Sequence, residues 1–220
     1  MFVPAPPAQL ALAQAPVGAL SSALPLATPP IERSASTTLS VRRSSLDVLD
    51  GHQATVSGTL LGDHRSVGLP GRMVTLQALG RHGWSTIAHT HTAISGRFQL
   101  RYVPWRTGSE QVRVRFAGDA TGLGARRRLG RLNVYRLAEV SWYGGGGSLA
   151  CGGSLTGATL GVANKTLPCG TLVMLRYGGR SIQVPVVDRG PYVAGREFDL
   201  TQATKEALGF GDTGQVWSTR

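Results

Sequence analysis

From Thr37 onward the chain alternates apolar and polar residues in short runs, and a cluster of Gly, Asp, Pro or Ser stops each run. Val112, Val114 and Phe116 alternate with Arg113 and Arg115, which describes a strand with one buried face and one solvated face. Residues 54–61, 73–79, 84–90, 97–103, 112–116 and 132–135 each read as such a strand, with turns at 68–71, 80–83 and 95–96. The 30 glycines suit a fold with many tight turns, and a charged fraction of only 16% argues against coiled coils and long solvated helices. No run of 18 apolar residues occurs, so no helix is expected to span a membrane. Two cysteines exclude both a disulfide-scaffold mini-protein and a four-cysteine zinc site. The chain therefore reads as all-β.

Three regions differ in composition. Residues 1–36 hold seven of the twelve prolines and only one basic residue, Arg33, and read as a disordered Ala/Pro-rich leader or the remnant of an export signal. Residues 37–137 carry 15 arginines against 5 acids, whereas residues 138–220 carry 7 basic and 6 acidic residues. Nearly all of the net charge of +11 thus lies in the middle region, which predicts a polyanionic partner. Its densest cluster is Arg126, Arg127 and Arg128 with Arg131 and Arg136, read as a solvated loop or as a contact for anionic cell-wall polymer. No nucleic-acid-binding motif or aromatic platform accompanies it, so nucleic acid is not the expected partner. His89 and His91 would share one face of a strand, but no Cys or second acidic ligand stands with them and no metal or cofactor is expected. The run Ser95, Gly96, Arg97, Phe98, with the later segment from Phe116 to Thr121, resembles bacterial immunoglobulin-like repeats, implying a β-sandwich of that type over 37–137.

Residues 138–220 contain no histidine, which removes Ser-His, Cys-His and His-ligated metal chemistry from this region. Residues 171–177 and 180–187 alternate around Gly178 and Gly179, a two-residue hairpin turn of the primed type. Thr201 is placed to cap a helix that runs to Leu208 and ends at Gly209, and residues 215–219 form a last strand. Four motifs follow in order: Ser141-Trp142-Tyr143-Gly144, the stretch from Ala163 to Thr171, Asp188-Arg189-Gly190-Pro191-Tyr192, and Phe198-Asp199-Leu200-Thr201.

That ordered set resembles the rare lipoprotein A family, secreted or lipid-anchored lytic transglycosylases of peptidoglycan. The resemblance implies a six-stranded double-psi β-barrel with one short helix over 138–220, a secreted or cell-wall location, and glycan strands of peptidoglycan as partner. Where that family usually carries His, this chain has Asn164, and the loop 151–156 lacks the family's acidic residue. Proton transfer then falls to Asp188, by its place in the motif, and to Asp199 beside the helix start. One carboxyl suffices in principle, because the nucleophile is the sugar's own 6-hydroxyl and no water has to be positioned. Tyr143 and Tyr192 are expected to stack on sugar rings, with Asn164, Lys165 and Arg189 bonding hydroxyls or the lactyl carboxylate, whereas Trp142 is expected in the core. Cys151 and Cys169, 18 residues apart, would most simply form a disulfide in an exported domain, with two free buried thiols as the alternative. A non-catalytic, expansin-like module that binds or loosens wall polysaccharide is the competing reading, because such barrels are related.

Overall fold

The computed structural model describes residues 1–2, 35–62 and 67–220. The expected leader therefore lies outside the described residues except at 1–2 and 35–36, where Ala35 already bridges Gly122. The elements in chain order are β1 (Thr37–Ser45), β2 (Asp47–Leu49), β3 (Ala54–Gly62), β4 (Val67–Gly68), β5 (Met73–Gly80), β6 (Gly83–His91), β7 (Arg97–Tyr102) and β8 (Gly108–Phe116). Then follow β9 (Ala125–Tyr143), β10 (Gly147–Ser148), β11 (Ser154–Leu155), β12 (Val162–Ala163), β13 (Leu172–Tyr177), β14 (Arg180–Asp188), β15 (Phe198–Thr201), α1 (Gln202–Leu208) and β16 (Gly214–Ser218).

The first half is two sheets over a common core. Strand β3 holds β1, β4 and β7 on one sheet, and β6, β5, β8 and the first part of β9 form the other. Leu39, Val56, Leu60, Phe98 and Leu100 from the first sheet meet Val74, Leu76, Val112, Val114 and Phe116 from the second in one buried cluster. The alternation read from the sequence is the cause: each strand hides every second side chain between the layers. Arg126, Arg127 and Arg128 are not in a loop. They lie within β9, paired with Arg115, Val114 and Arg113 of β8, because β9 begins seven residues before the apolar run at Leu132 that marks it in the sequence.

The second half closes on itself. Strands β15, β12, β14, β13, β16 and β9 follow one another, and β15 pairs back onto β9, giving a six-stranded mixed barrel. The β12–β14 and β15–β9 pairs are parallel and the others antiparallel. Val173, Leu175, Val184, Val186, Phe198, Leu200 and Val216 fill its interior. Gly178 (φ 55°) and Gly179 (φ 84°) join β13 to β14, and a type I′ turn requires positive φ at both positions. Thr201 caps α1 by accepting from the Thr204 amide, and Gly209 ends it in the left-handed conformation, both as read from the sequence.

Strand β9 runs without a break from the sandwich into the barrel. At the passage the Asp47 carboxylate accepts from Asn133 Nδ2 at 2.8 Å and from the Tyr135 hydroxyl at 3.0 Å, and Arg176 of β13 lies 3.7 Å away. Tyr135 is fully buried. Burial first, then the charge of Asp47 and the hydrogen bond to it, push the phenol from 10.0 up to about 12. A raised folded-state pKa contributes stability that is whole below the unfolded value and is lost as pH climbs through the folded one. Thermal stability should therefore fall between pH 10 and about 12, and Tyr135→Phe should flatten that decline in a melting series across the window.

Candidate active site

The two-residue strand β12 lies between β14 and β15, and Ala163 is paired with Asp188 on one side and with Asp199 on the other. The two acids thus stand one strand to either side of Ala163, each half-buried. Asp188 ends β14, and its Oδ1 accepts from the amides of Ala150 at 2.9 Å and Arg189 at 2.8 Å. Asp199 faces Ser141 across the β15–β9 pair, and the Ser141 hydroxyl donates to its Oδ1. Period-2 spacing puts Tyr143 on the same side of β9 as Ser141. The Tyr143 hydroxyl is buried and makes no hydrogen bond of ordinary geometry. Burial first, then the charge and hydrogen-bonding reach of Asp188, then the charge of Asp199, hold its pKa well above the usual phenol value. It therefore stays protonated, a donor poised beside both acids.

The frame behind these residues is rigid for identifiable reasons. Gly161 precedes β12 and has room for no side chain, since a Cβ there would meet Val187 Cγ2 at 2.4 Å. Its amide donates to Thr204 Oγ1 at 2.9 Å, and both Thr201 and Thr204 hydroxyls donate back to its carbonyl. This buried network ties the start of α1 to β12 and so places Asp199 relative to Ala163. Cys151 and Cys169 form a disulfide with Cα atoms 5.5 Å apart, holding the 149–153 loop, which supplies the Ala150 amide, against the segment before β13.

The other residues singled out in the sequence have varied placements. Asn164 is buried: its Nδ2 donates to the Glu197 carbonyl at 2.9 Å, and its Oδ1 accepts from the amides of Thr166 and Leu167. Arg189 donates to the carbonyls of Asn164 and Leu167 at 3.0 and 2.8 Å and to Cys169 Sγ at 3.1 Å. Both side chains are spent on shaping the loop that carries Lys165, which is itself exposed. Tyr192 is 84% exposed on the neighbouring turn, open to a ligand face. Trp142 is not in the core: it points outward between Ser141 and Tyr143, donates to Asp212 and lies under the Lys205 ammonium at 3.8 Å. Ser141 is the participant that sequence reasoning passed over, although its spacing from Tyr143 was the available signal.

A family model described as lytic transglycolase matches residues 137–217. The chain is 43% identical over 80 residues to "Probable endolytic peptidoglycan transglycosylase RlpA" of Aquifex aeolicus, a match covering 34% of this chain and 35% of that protein. It is 37% identical over 112 residues to the protein of the same name from Synechocystis, covering 44% of this chain and 35% of that one. With "Endolytic peptidoglycan transglycosylase RlpA" of Pseudomonas aeruginosa it shares 36% identity over 87 residues, covering 37% and 26%. The matched region spans about a quarter to a third of the length of these curated relatives. Closed six-stranded topology, the ordered motifs and these likenesses agree: residues 137–217 form a barrel similar to the RlpA-like double-psi β-barrel family.

Proposed function

We propose that this chain is an exported cell-wall protein whose barrel cleaves peptidoglycan glycan strands as a lytic transglycosylase. The observation that carries the reading is the pairing of Ala163 with both Asp188 and Asp199, which sets two half-buried carboxylates on either side of one strand in a barrel that contains no histidine. Asp188 gives its proton to the glycosidic oxygen as the bond from that oxygen to the anomeric carbon breaks. The 6-hydroxyl of the same sugar then attacks the anomeric carbon, and the Asp188 carboxylate takes up the hydroxyl proton, so the residue returns to its starting state. Asp199, held by Ser141, places negative charge near the cationic anomeric centre, and the Tyr143 hydroxyl, unpaired in the free protein, is a donor available to Asp188 as the reaction proceeds. Lys165 and Tyr192, both exposed, are the side chains open to the glycan. The disulfide suits an oxidising compartment outside the cytosol. The arginine-rich sandwich adds attraction to anionic polymers of the wall.

Digestion of purified peptidoglycan by the wild-type chain should release fragments ending in 1,6-anhydromuramic acid, identified by mass spectrometry. Asn164, committed to backbone where the family's His would stand, favours one competing reading, a non-catalytic expansin-like binder. No anhydro ends after prolonged digestion, with undiminished pull-down on peptidoglycan, would establish that reading instead.

A further inference from the structure

The outer face of the larger sandwich sheet is an arginine grid. Residues paired directly across strands share a face. His89, Thr75, Arg115 and Arg126 form one row across β6, β5, β8 and β9, and Thr86, Gln77, Arg113 and Arg128 form the next. Arg131, opposite Gln111, extends the face by a further row. The four central arginines stand about 5 Å apart across the strands and about 7 Å apart along them. Arg113 is fixed in place, its guanidinium 4.1 Å from the centre of the Trp84 ring and its Nε donating to Gln77 at 2.8 Å.

The rows of the four central arginines hold no carboxylate; the nearest one on this face, Asp47 of β2, lies beyond Arg131 in the row of Ser109 and Asn133 and already accepts from Asn133 and Tyr135. Strands β5 and β6 contain no carboxylate, and neither does β9 between Ala125 and Val134. Glu110 of β8 is paired with Leu132, on the opposite, core-side face. The ion pairs among the described residues use Arg72, Arg136, Arg176 and Lys205 and none of these five arginines. Partial burial, and then Arg115, Arg126 and Arg128 as like charges, hold the Arg113 guanidinium below its ordinary pKa. Such crowding is unfavourable in the free protein and is relieved by a ligand that brings several negative charges at once.

We infer that this sheet face is a docking surface for a phosphodiester polymer of the cell wall. Guanidinium forks match phosphate oxygens in pairs, and a flat grid of them suits a repeating chain of phosphates. Single-stranded nucleic acid fits less well, because the aromatic ring that the described residues of this face present, Trp84, is already covered by Arg113. The choice of a wall polymer over other phosphate chains rests on the cell-wall reading of the barrel. The surface itself lies apart from Asp188 and Asp199, on other strands.

The test is binding of the full chain to soluble poly(glycerol phosphate) over a salt series, with the Arg113→Gln/Arg128→Gln double variant as probe. The comparison is Arg97→Gln/Arg101→Gln, which removes the same charge from exposed positions on β7 of the other sheet. The grid variant should lose about tenfold or more in affinity at low salt, and its log–log salt slope should shrink by about one per arginine removed. The β7 variant should lose no more than about threefold, with both variants melting at or above the wild-type temperature. Equal losses from the two variants would reduce the effect to net charge and overturn the proposal. Tighter binding to a mixed-sequence DNA duplex, or binding confined to phosphatidylglycerol vesicles, would overturn it as well. None of these measurements reads glycan cleavage, so a catalytically inert barrel and an inert grid give different results.

Discussion

Asp188→Asn should lower the release of anhydromuramyl products by about 10²–10⁴-fold, the usual cost of losing a general acid. The substitution removes the exchangeable proton and little else. An asparagine Oδ1 can still accept from the amides of Ala150 and Arg189, so the turn that Asp188 organises keeps both of its hydrogen bonds. Melting temperature and pull-down on peptidoglycan should therefore stay close to wild type while turnover collapses. Tyr143→Phe provides the companion measurement. It deletes a buried hydroxyl that has no ordinary hydrogen-bond partner, so stability is retained. If that hydroxyl donates to Asp188 only once the glycan is bound, kcat falls by about 10–100-fold with KM little changed, the scale of a lost hydrogen bond to a charged group. An Asp188→Asn variant that digests at the wild-type rate would move the acid to another residue.

Replacing both Cys151 and Cys169 by serine should cost about 3 kcal/mol, the chain-entropy contribution of a closed loop of this size. In a chain of this length each kcal/mol moves the melting temperature by about 2–4 °C, so a drop of about 6–12 °C is expected. Activity should fall further than the unfolded fraction accounts for. The disulfide restrains the loop in which the Ala150 amide holds Asp188 and the Cys151 amide bonds the Val187 carbonyl at 3.2 Å, so its loss frees one side of the acid. A reductant titration followed by calorimetry gives the same comparison without mutation. An unchanged melting temperature after full reduction would show that the loop is held by its hydrogen bonds alone.

Much of the fold was legible because its rules are local. Alternation over a few residues marks β3, β5, β6, β7 and β14 to within a residue or two, and paired glycines dictate the turn at 178–179. A capping threonine and a left-handed glycine bound α1 for equally local reasons. Strands β1 and β2 escaped notice, and the arginine run was misjudged, because polar residues on a solvated face carry little periodic signal. Trp142 was misplaced because its size and its place in the β9 alternation, two residues after buried Val140, both argue for burial, whereas β9 ends one residue later and the indole is taken up by Asp212 and Lys205 instead.

By itself the sequence determined that this is an all-β chain, that its barrel contains no histidine, and that Asp188 and Asp199 sit at motif turns. Only the tertiary structure decided that the two acids stand on either side of one strand, because their shared neighbour Ala163 is supplied by a two-residue strand with no pattern of its own. It likewise decided that Asn164 and Arg189 turn inward onto backbone carbonyls and amides, and that arginines more than ten positions apart stack into one grid. Those outcomes depend on which strands pair across long separations. Closing the barrel and aligning β8 with β9 satisfy backbone hydrogen bonds between segments whose partnership no local spacing encodes.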